Sequence, residues 1–222
     1  KRTCNELGIK FKKDGNYKAA LKYFEIVTIL QPSDFTGFHN IGTVYYESED
    51  FEKAKSFFEK ALSLNPKYEF ANANLAAVYR KLGEIEKSLS CHHEAIKINP
   101  DNPNNYYNIA ITFKQAERID EAEENYRKAI ILDSKHVGSY HNLALIYEER
   151  GQIKEALSIV KNVLKFETNH PRANHSIGIM NLKLGRFREG WKYNEYRWKV
   201  SPQNKVTWPL QDRPLWKGER GK

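Results

Sequence analysis

The fold of this chain is indicated most clearly by residues 34–66, DFTGFHNIGTVYYESEDFEKAKSFFEKALSLNP. Residues 34–46 place apolar side chains about every 3.6 positions, which is the spacing of one face of an α-helix. Residues 47–50 break the pattern with polar side chains, and residues 51–64 resume it. Asn65-Pro66 then ends the second run, because proline cannot continue a helix. The stretch therefore predicts two helices joined by a short turn.

The same pattern recurs every 34 residues along the chain. In several sets of residues spaced 34 apart, called columns below, the residue type hardly changes. One column is aliphatic, and two are small: Leu7, Ile41, Leu75, Ile109, Leu143 and Ile177; Gly8, Gly42, Ala76, Ala110, Ala144 and Gly178; and Ala20, Ala54, Ser88, Ala122, Ala156 and Gly190. Small side chains are expected where the two helices of a pair cross, because they allow a close approach.

Six such units are predicted, followed by an extended tail at 203–222. The units lie at approximately residues 1–34, 35–68, 69–102, 103–136, 137–170 and 171–204. A helix pair this short cannot bury its apolar face alone, so the units must stack on one another. In the sixth unit Asn181, Asn194 and Arg197 stand where earlier units have aromatic or small apolar residues, which predicts a weakened core there.

This pattern resembles that of the tetratricopeptide repeat family, whose period is 34 and whose units pair small residues with aromatic ones. The resemblance covers approximately residues 1–202. It implies an all-α fold, a right-handed α-solenoid in which the first helices of successive units line a concave groove. It also implies a protein-protein interaction module, or scaffold, that binds a peptide in that groove.

The net charge of +8 is concentrated at one end of the chain. Residues 1–182 hold 25 Lys and Arg against 24 Asp and Glu, whereas residues 183–222 hold 11 against 4. A nucleic-acid-binding protein more typically carries a basic stripe along its main surface. We therefore expect no nucleic-acid partner.

The sequence also bears on the location of the protein. No window is long and apolar enough to span a membrane, so no membrane partner is expected. Two isolated cysteines, Cys4 and Cys91, fit a reducing compartment and indicate a cytoplasmic protein. The first residue is Lys1 and the only methionine is Met180, so we expect the sequence to be a piece of a longer protein.

One column of the predicted groove is rich in asparagine: Asn40, Asn74, Asn108 and Asn142. Asparagine is a poor residue for a helix interior, whereas its amide can both donate to and accept from a peptide backbone. First helices about 10 Å apart would present one amide to roughly every third residue of an extended peptide. The alternative is that each amide bonds a neighbouring helix. The column is also similar to that of protein O-GlcNAc transferases, which implies that these four asparagines hold an acceptor peptide.

The other residues predicted to contact a peptide surround the asparagines: His39, Tyr46, Arg80, Tyr107, Ile111, Lys114, His141 and Leu145. The sequence has no nucleotide-binding, metalloprotease or nucleophile motif. No catalytic residue, cofactor or metal is therefore predicted, and the chain itself is not expected to be an enzyme. His39, His141 and His175 share a column, but side chains on helices about 10 Å apart rarely converge on one metal ion.

All four tryptophans lie near the end of the chain: Trp191, Trp198, Trp208 and Trp216. This segment resembles the junction at which bacterial tetratricopeptide proteins continue into a glycosyltransferase-like domain. The resemblance implies an alternative function, in which the chain recruits substrates for a catalytic domain that follows Lys222. A third possibility is self-association through Trp208 and Trp216.

Overall fold

The computed structural model describes residues 2–194, 196 and 197 of the 222 residues. The predicted tail at 203–222 and the tryptophans Trp198, Trp208 and Trp216 lie outside the described residues. Within them every regular element is helical: α1 (Arg2–Lys13), α2 (Tyr17–Leu30), α3 (Phe35–Glu47), α4 (Phe51–Leu64), α5 (Glu69–Lys81), α6 (Ile85–Ile98), α7 (Pro103–Gln115), α8 (Ile119–Leu132), α9 (Val137–Glu149), α10 (Ile153–Lys161), a 3₁₀ turn (Val163–Lys165), α11 (Pro171–Lys183) and α12 (Phe187–Asn194). The predicted all-α fold is confirmed for this part of the chain.

The chain divides into two compact units, unit 1 (Lys1–Asn125) and unit 2 (Tyr126–Lys222), and the boundary falls within α8. In unit 1 each helix from α1 to α6 packs against the next helix in the sequence, and in unit 2 the helices from α9 to α12 do the same. The core of unit 1 includes Ala20, Phe24, Ile41, Val44, Ala54, Phe58, Leu75 and Val78. The core of unit 2 includes Ala144, Ala156, Leu157, Val160, Ala173, Ile177 and Met180.

The two helices of a pair cross closely at the small columns, as the sequence predicts. A Cβ atom added to Gly42 on α3 would lie 2.7 Å from the ring of Phe58 on α4, and that ring is fully buried. In the next pair, Ser88 Oγ on α6 donates a hydrogen bond of 2.8 Å to the carbonyl oxygen of Ala76 on α5. The two small columns therefore meet at the crossing, and a larger side chain in either would force the helices apart.

Two asparagines in unit 2 change the pattern locally. The fifth pair has a short second helix, because α10 has nine residues and a 3₁₀ turn follows it. Asn162 at this break donates side-chain hydrogen bonds to the carbonyl oxygens of Ser158 and Ile159, and such bonds compete with those of the helix backbone. In the sixth pair Asn181 is buried, and its amide donates to the carbonyl oxygen of Ile177 at 2.9 Å. The polar group expected to weaken this core is thus satisfied within its own helix.

The turn inside each helix pair contains a residue with a left-handed backbone conformation. Four pairs place glycine there, with φ between 73° and 80°: Gly15, Gly83, Gly151 and Gly185. The second and fourth pairs use Glu49 and Glu117 instead, with φ of 62° and 60°. A side chain makes this conformation cost about 1–2 kcal/mol per residue. The two glutamates are therefore strained at a position where the other units have glycine.

His92 on α6 packs at the position that Phe24, Phe58 and Tyr126 occupy in three other units, and only 1% of its surface is exposed. Within the described part of the chain, neither ring nitrogen has a hydrogen-bond partner. Burial lowers the pKa of His92 to about 3, and the positive charges of Arg80 and His93 lower it further. The imidazole is therefore neutral in the folded protein at neutral pH.

We expect Glu49→Gly to raise the free energy of unfolding by about 0.5–1 kcal/mol, because glycine removes the left-handed strain and returns only part of the gain as backbone entropy. Urea denaturation followed by circular dichroism measures the change. Glu49→Ala is the matched control, since it removes the carboxylate and keeps the Cβ atom. A gain in stability for Glu49→Ala as large as that for Glu49→Gly would contradict the explanation.

We expect the stability of the wild type to fall more steeply than that of His92→Phe as the pH decreases from 6.5 to 5. The unfolded chain binds a proton on His92 near pH 6.5, whereas the folded protein, with its lowered pKa, does not, so acid favours unfolding. Protonation of His92 in the unfolded chain lowers the free energy of unfolding of the wild type by about 2 kcal/mol at pH 5, a loss that His92→Phe does not have. Denaturant titrations at several pH values measure it, and the exposed neighbour substitution His93→Gln should retain the steep dependence of the wild type.

Candidate functional site

The first helices of the pairs in unit 1 lie side by side, as bonds between residues 35 apart show. These bonds are Lys12 Nζ to Glu47 Oε1 (2.8 Å), Asn74 Nδ2 to His39 Nε2 (2.9 Å) and Gln115 Nε2 to the carbonyl oxygen of Arg80 (3.3 Å). They join α1 to α3, α3 to α5 and α5 to α7. The surface that these four helices share is called the first-helix face of unit 1.

All twelve residues predicted to contact a peptide are partly buried. Nine lie on first helices of unit 1: His39, Asn40, Tyr46, Asn74, Arg80, Tyr107, Asn108, Ile111 and Lys114. The other three lie on α9 in unit 2: His141, Asn142 and Leu145. Each of these side chains therefore keeps part of its surface in contact with solvent.

The asparagine column is used in two ways. The amide of Asn74 contacts His39, that of Asn40 donates to Asn5 Oδ1 at 3.5 Å, and that of Asn142 donates to the hydroxyl of Tyr126 at 3.2 Å. Each of these bonds reaches another helix, so three amides contribute to helix packing. The amide of Asn108, by contrast, makes no hydrogen bond to another described residue.

His39, on the first-helix face, has a pKa far below the ordinary value for histidine. Its ring lies 5.0 Å from that of Tyr68 and 5.6 Å from that of Phe58, measured between ring centroids. Burial lowers the pKa of His39 to about 4; a hydrogen bond with Asn40 opposes this shift, and the charge of Lys12 adds to it. His39 is therefore neutral at pH 7, and Nε2 can accept a hydrogen bond from the amide of Asn74.

A cavity of about 430 Å³ opens between α1 and α3 beside His39. Ile9 and Phe24 form apolar parts of its wall, and Lys12 and Asn40 form polar parts. Of these, Ile9 is an exposed aliphatic side chain, with 39% of its surface accessible. The cavity can take an apolar group, and polar groups stand beside it.

Sequence reasoning missed the group that fixes α7 in the first-helix face. Glu69 at the start of α5 is buried, and its carboxylate accepts hydrogen bonds from the amides of Asn99 (2.9 Å), Asn102 and Asn105 (2.9 Å). These three asparagines belong to the connection between α6 and α7 and to the first turn of α7. The network ties that connection to α5 and so positions Tyr107 and Asn108. The sequence does contain a sign of this network: three asparagines spaced three residues apart lie around the end of a unit that begins with a glutamate.

Unit 2 presents two first helices, α9 and α11. Glu148 on α9 forms an ion pair with Lys183 on α11, which again joins residues 35 apart. His141, Asn142 and Leu145 lie on α9, one to two turns before this pair. The positions that are basic in α5 and α7 are thus occupied in α9 by an acidic residue with its own partner.

Two further properties concern the described residues as a whole. No group of three or more His, Cys, Asp or Glu side chains is placed there to hold a metal ion. None of the described helices has the length and apolar character that crossing a membrane requires.

Three models of the tetratricopeptide repeat match the sequence, at residues 36–68, 69–135 and 125–158. Together they cover residues 36–158 without a gap, which is more than half of the chain. Comparison with curated proteins found no match.

Several solved structures share the fold. PilF of Pseudomonas aeruginosa aligns with a TM-score of 0.75 at 15% identity, over 90% of this chain and 91% of that one. TTC0263 of Thermus thermophilus aligns with a TM-score of 0.68 at 20% identity, over 82% and 98%. YrrB, described as having an unusual peptide-binding site, aligns with a TM-score of 0.57 at 16% identity, over 82% and 93%. At these identities the likeness shows the fold alone.

We expect Asn74→Asp to raise the pKa of His39 from about 4 toward or above its ordinary value of 6.5, because a carboxylate next to the ring favours the imidazolium. NMR titration of the ring Cε1–H between pH 8 and 5 measures this. The wild type should show no midpoint for His39 in that interval, whereas the variant should show one. Asn108→Asp is the control, and a midpoint for His39 in that variant would contradict the proposed contact.

Proposed function

Since this chain belongs to the tetratricopeptide repeat family, we propose that its first helices bind an extended segment of a partner protein. In this proposal the described repeats act as a binding module and do no chemistry themselves. The nine predicted residues on unit 1 are the proposed contact surface of that unit, and His141, Asn142 and Leu145 on α9 are the proposed contact residues of unit 2.

The observation that carries the proposal is the amide of Asn108. It is partly buried on α7 and lacks a hydrogen-bond partner among the described residues. An asparagine inside a helix lowers helix stability relative to alanine. Asn108 makes no side-chain hydrogen bond within the described residues that would offset this cost. A free amide in this setting can donate to a peptide carbonyl and accept from a peptide N–H.

The side-by-side arrangement of the first helices supports the same proposal. Neighbouring helices lie about 10 Å apart, and an extended peptide rises about 3.3 Å per residue. A peptide that crosses α3, α5 and α7 therefore meets Asn40, Asn74 and Asn108 at intervals of roughly three residues. The first two amides can exchange their bonds to Asn5 and His39 for bonds to the peptide, or retain them and donate their second N–H group.

Contacts with peptide side chains would come from the residues around the amides. The cavity between α1 and α3 suits an apolar side chain next to Asn40. Tyr107 and Ile111 supply aromatic and aliphatic surface near Asn108. YrrB has the same fold and is described as having a peptide-binding site, which is consistent with the proposal.

The alternative functions concern the end of the chain. The resemblance to a glycosyltransferase junction and self-association through Trp208 and Trp216 both depend on residues outside those that the structure describes. They remain predictions. Recruitment of substrates for a glycosyltransferase would use the same peptide-binding surface, so it is compatible with the proposal.

We expect Asn108→Ala to weaken peptide binding by about 1–2 kcal/mol, which is the net value of one or two hydrogen bonds and corresponds to roughly 5- to 30-fold in Kd. Peptides of twelve residues selected from a random display library on the wild type serve as probes, and fluorescence anisotropy measures Kd.

The free energy of unfolding of Asn108→Ala should equal that of the wild type or exceed it by up to about 0.7 kcal/mol, because the amide has no internal partner and alanine is the better helix former. Gln31→Ala removes an exposed amide outside the first-helix face and should leave Kd unchanged. Equal affinities of wild type and Asn108→Ala for every selected peptide would contradict the proposed role of this residue. Failure to select any peptide would contradict the proposed function.

A further inference from the structure

We propose that the first-helix face of unit 1 selects a partner segment rich in acidic side chains. This inference rests on the proposed function and specifies the chemistry of its ligand. The groups that would recognise the segment stand at the carboxyl ends of α1, α5 and α7 and are called the basic row: Lys12, Lys13, Arg80, Lys81 and Lys114.

The charge of the basic row does not follow from the composition of unit 1. Residues 1–125 hold 17 Lys and Arg against 19 Asp and Glu, a net charge of −2. The last three residues of each of the four first helices in this unit nevertheless supply five cations in total and one carboxylate, Glu47. Positive charge is therefore concentrated on one edge of the face, and the remainder of the unit is acidic.

The helix dipole does not explain the row either. Cations are favourable at the carboxyl end of a helix, and that effect alone would place them there in every unit. Yet α3 ends on Glu47, and α9 ends on Glu148 and Glu149. In the column of Arg80 and Lys114, the flanking first helices α3 and α9 have Tyr46 and Glu148. In the next column, Lys81 stands between Glu47 of α3 and Gln115 of α7. This distribution points to selection for a ligand's charge on the part of the face that holds Asn74 and Asn108.

Arg80 and Lys81 keep positive charge at the surface of the row, whereas Lys12 is paired with Glu47 at 2.8 Å. Arg80 Nη1 donates to Gln115 Oε1 at 3.5 Å, and Gln115 donates back to the carbonyl oxygen of Arg80. This neutral partner orients the guanidinium over the space between α5 and α7 without cancelling its charge. Lys81 is exposed next to it.

The row lies within reach of a peptide held by the asparagines. Lys81 follows Asn74 by seven residues, or about two helical turns, so both lie on one side of α5 about 10 Å apart along its axis. Arg80 and Lys114 each follow the asparagine of their helix by six residues, which is about 9 Å along the axis and a third of a turn around it. An acidic side chain that points from the peptide toward the carboxyl ends of α5 and α7 covers part of this distance, and the long Arg and Lys side chains cover the rest. Helices about 10 Å apart would favour acidic residues about three positions apart.

The test uses three synthetic twelve-residue peptides with fluorescent labels and amidated carboxyl termini. In the first, every third residue is aspartate; in the second and third, those residues are asparagine or lysine. The amidated ends exclude capture of a terminal carboxylate. Fluorescence anisotropy at about 50 and 200 mM salt measures Kd for each, since exposed charge interactions weaken with ionic strength.

The wild type should bind the aspartate peptide at least tenfold more tightly than the asparagine peptide at the lower salt concentration, and the lysine peptide most weakly. The double substitution Arg80→Glu with Lys81→Glu should abolish this preference. Lys18→Glu with Lys22→Glu changes the net charge equally at exposed positions of α2 and should retain it. Thermal unfolding confirms that both variants are folded.

Equal affinities of the wild type for the aspartate and asparagine peptides would overturn the inference, and so would an equal loss in both double variants. If the asparagine peptide binds as tightly as the aspartate peptide and Asn108→Ala weakens both, the charge selection is wrong and the proposed function stands. If neither these peptides nor those selected by display bind to the wild type, the proposed function fails as well.

Discussion

Gly42 allows the ring of Phe58 to lie against the backbone of α3, and this contact sets the distance between the two helices of the pair. The other features of the repeat depend on that distance. With the helices close, the aliphatic residue next to the glycine, Ile41, is buried together with Val44. The apolar surface left over can then be covered only by a neighbouring pair. Successive crossings in unit 1 therefore bring the first helices side by side, which creates the first-helix face.

The structure accommodates polar residues at positions of close packing in different ways. Ser88 replaces an alanine of the small column and satisfies its hydroxyl on the carbonyl oxygen of Ala76. Glu69 is buried and receives three amide hydrogen bonds. His92 is buried with no partner for either ring nitrogen among the described residues. The first two arrangements hold helices in position, whereas the third lowers stability and makes it sensitive to acid, because a buried polar group without a partner loses its interaction with water.

The asparagines of the proposed binding surface also differ in whether they have a hydrogen-bond partner. Asn40, Asn74 and Asn142 have partners on other helices, so part of the asparagine column serves packing. Asn108 has no such partner among the described residues, which makes it the strongest candidate for a contact with a ligand. The network of Glu69 positions α7 and thereby holds that amide in place. Near it, the basic row adds a charge that the asparagines cannot supply, since an amide recognises a backbone without regard to sequence.

The helical repeat and the two small columns can be read from the sequence alone. These features repeat at a fixed spacing of 34 residues, and each depends on neighbours close in the chain, so a single sequence records them. It also indicated twelve candidate contact residues, which lie partly buried on first helices and whose contact with a peptide stays a prediction. The left-handed residue in each turn is also indicated by the 34-residue period, because glycine recurs in the column that contains Glu49 and Glu117.

Three features of the side chains could not be read from the sequence. They are which asparagine amides are already bonded, which three amides donate to the carboxylate of Glu69, and that the ring of His92 has no hydrogen-bond partner among the described residues. The short second helix of the fifth pair also appeared only in the tertiary structure. The physical reason is that hydrogen bonds are directional and act over about 3 Å. A repeat period fixes which helices are neighbours, but it does not fix side-chain positions to that precision. Asn74 and Asn108 are equivalent in the repeat, yet Asn74 bonds His39, 35 positions earlier, whereas the residue 35 positions before Asn108 is Ala73, whose side chain cannot accept a hydrogen bond.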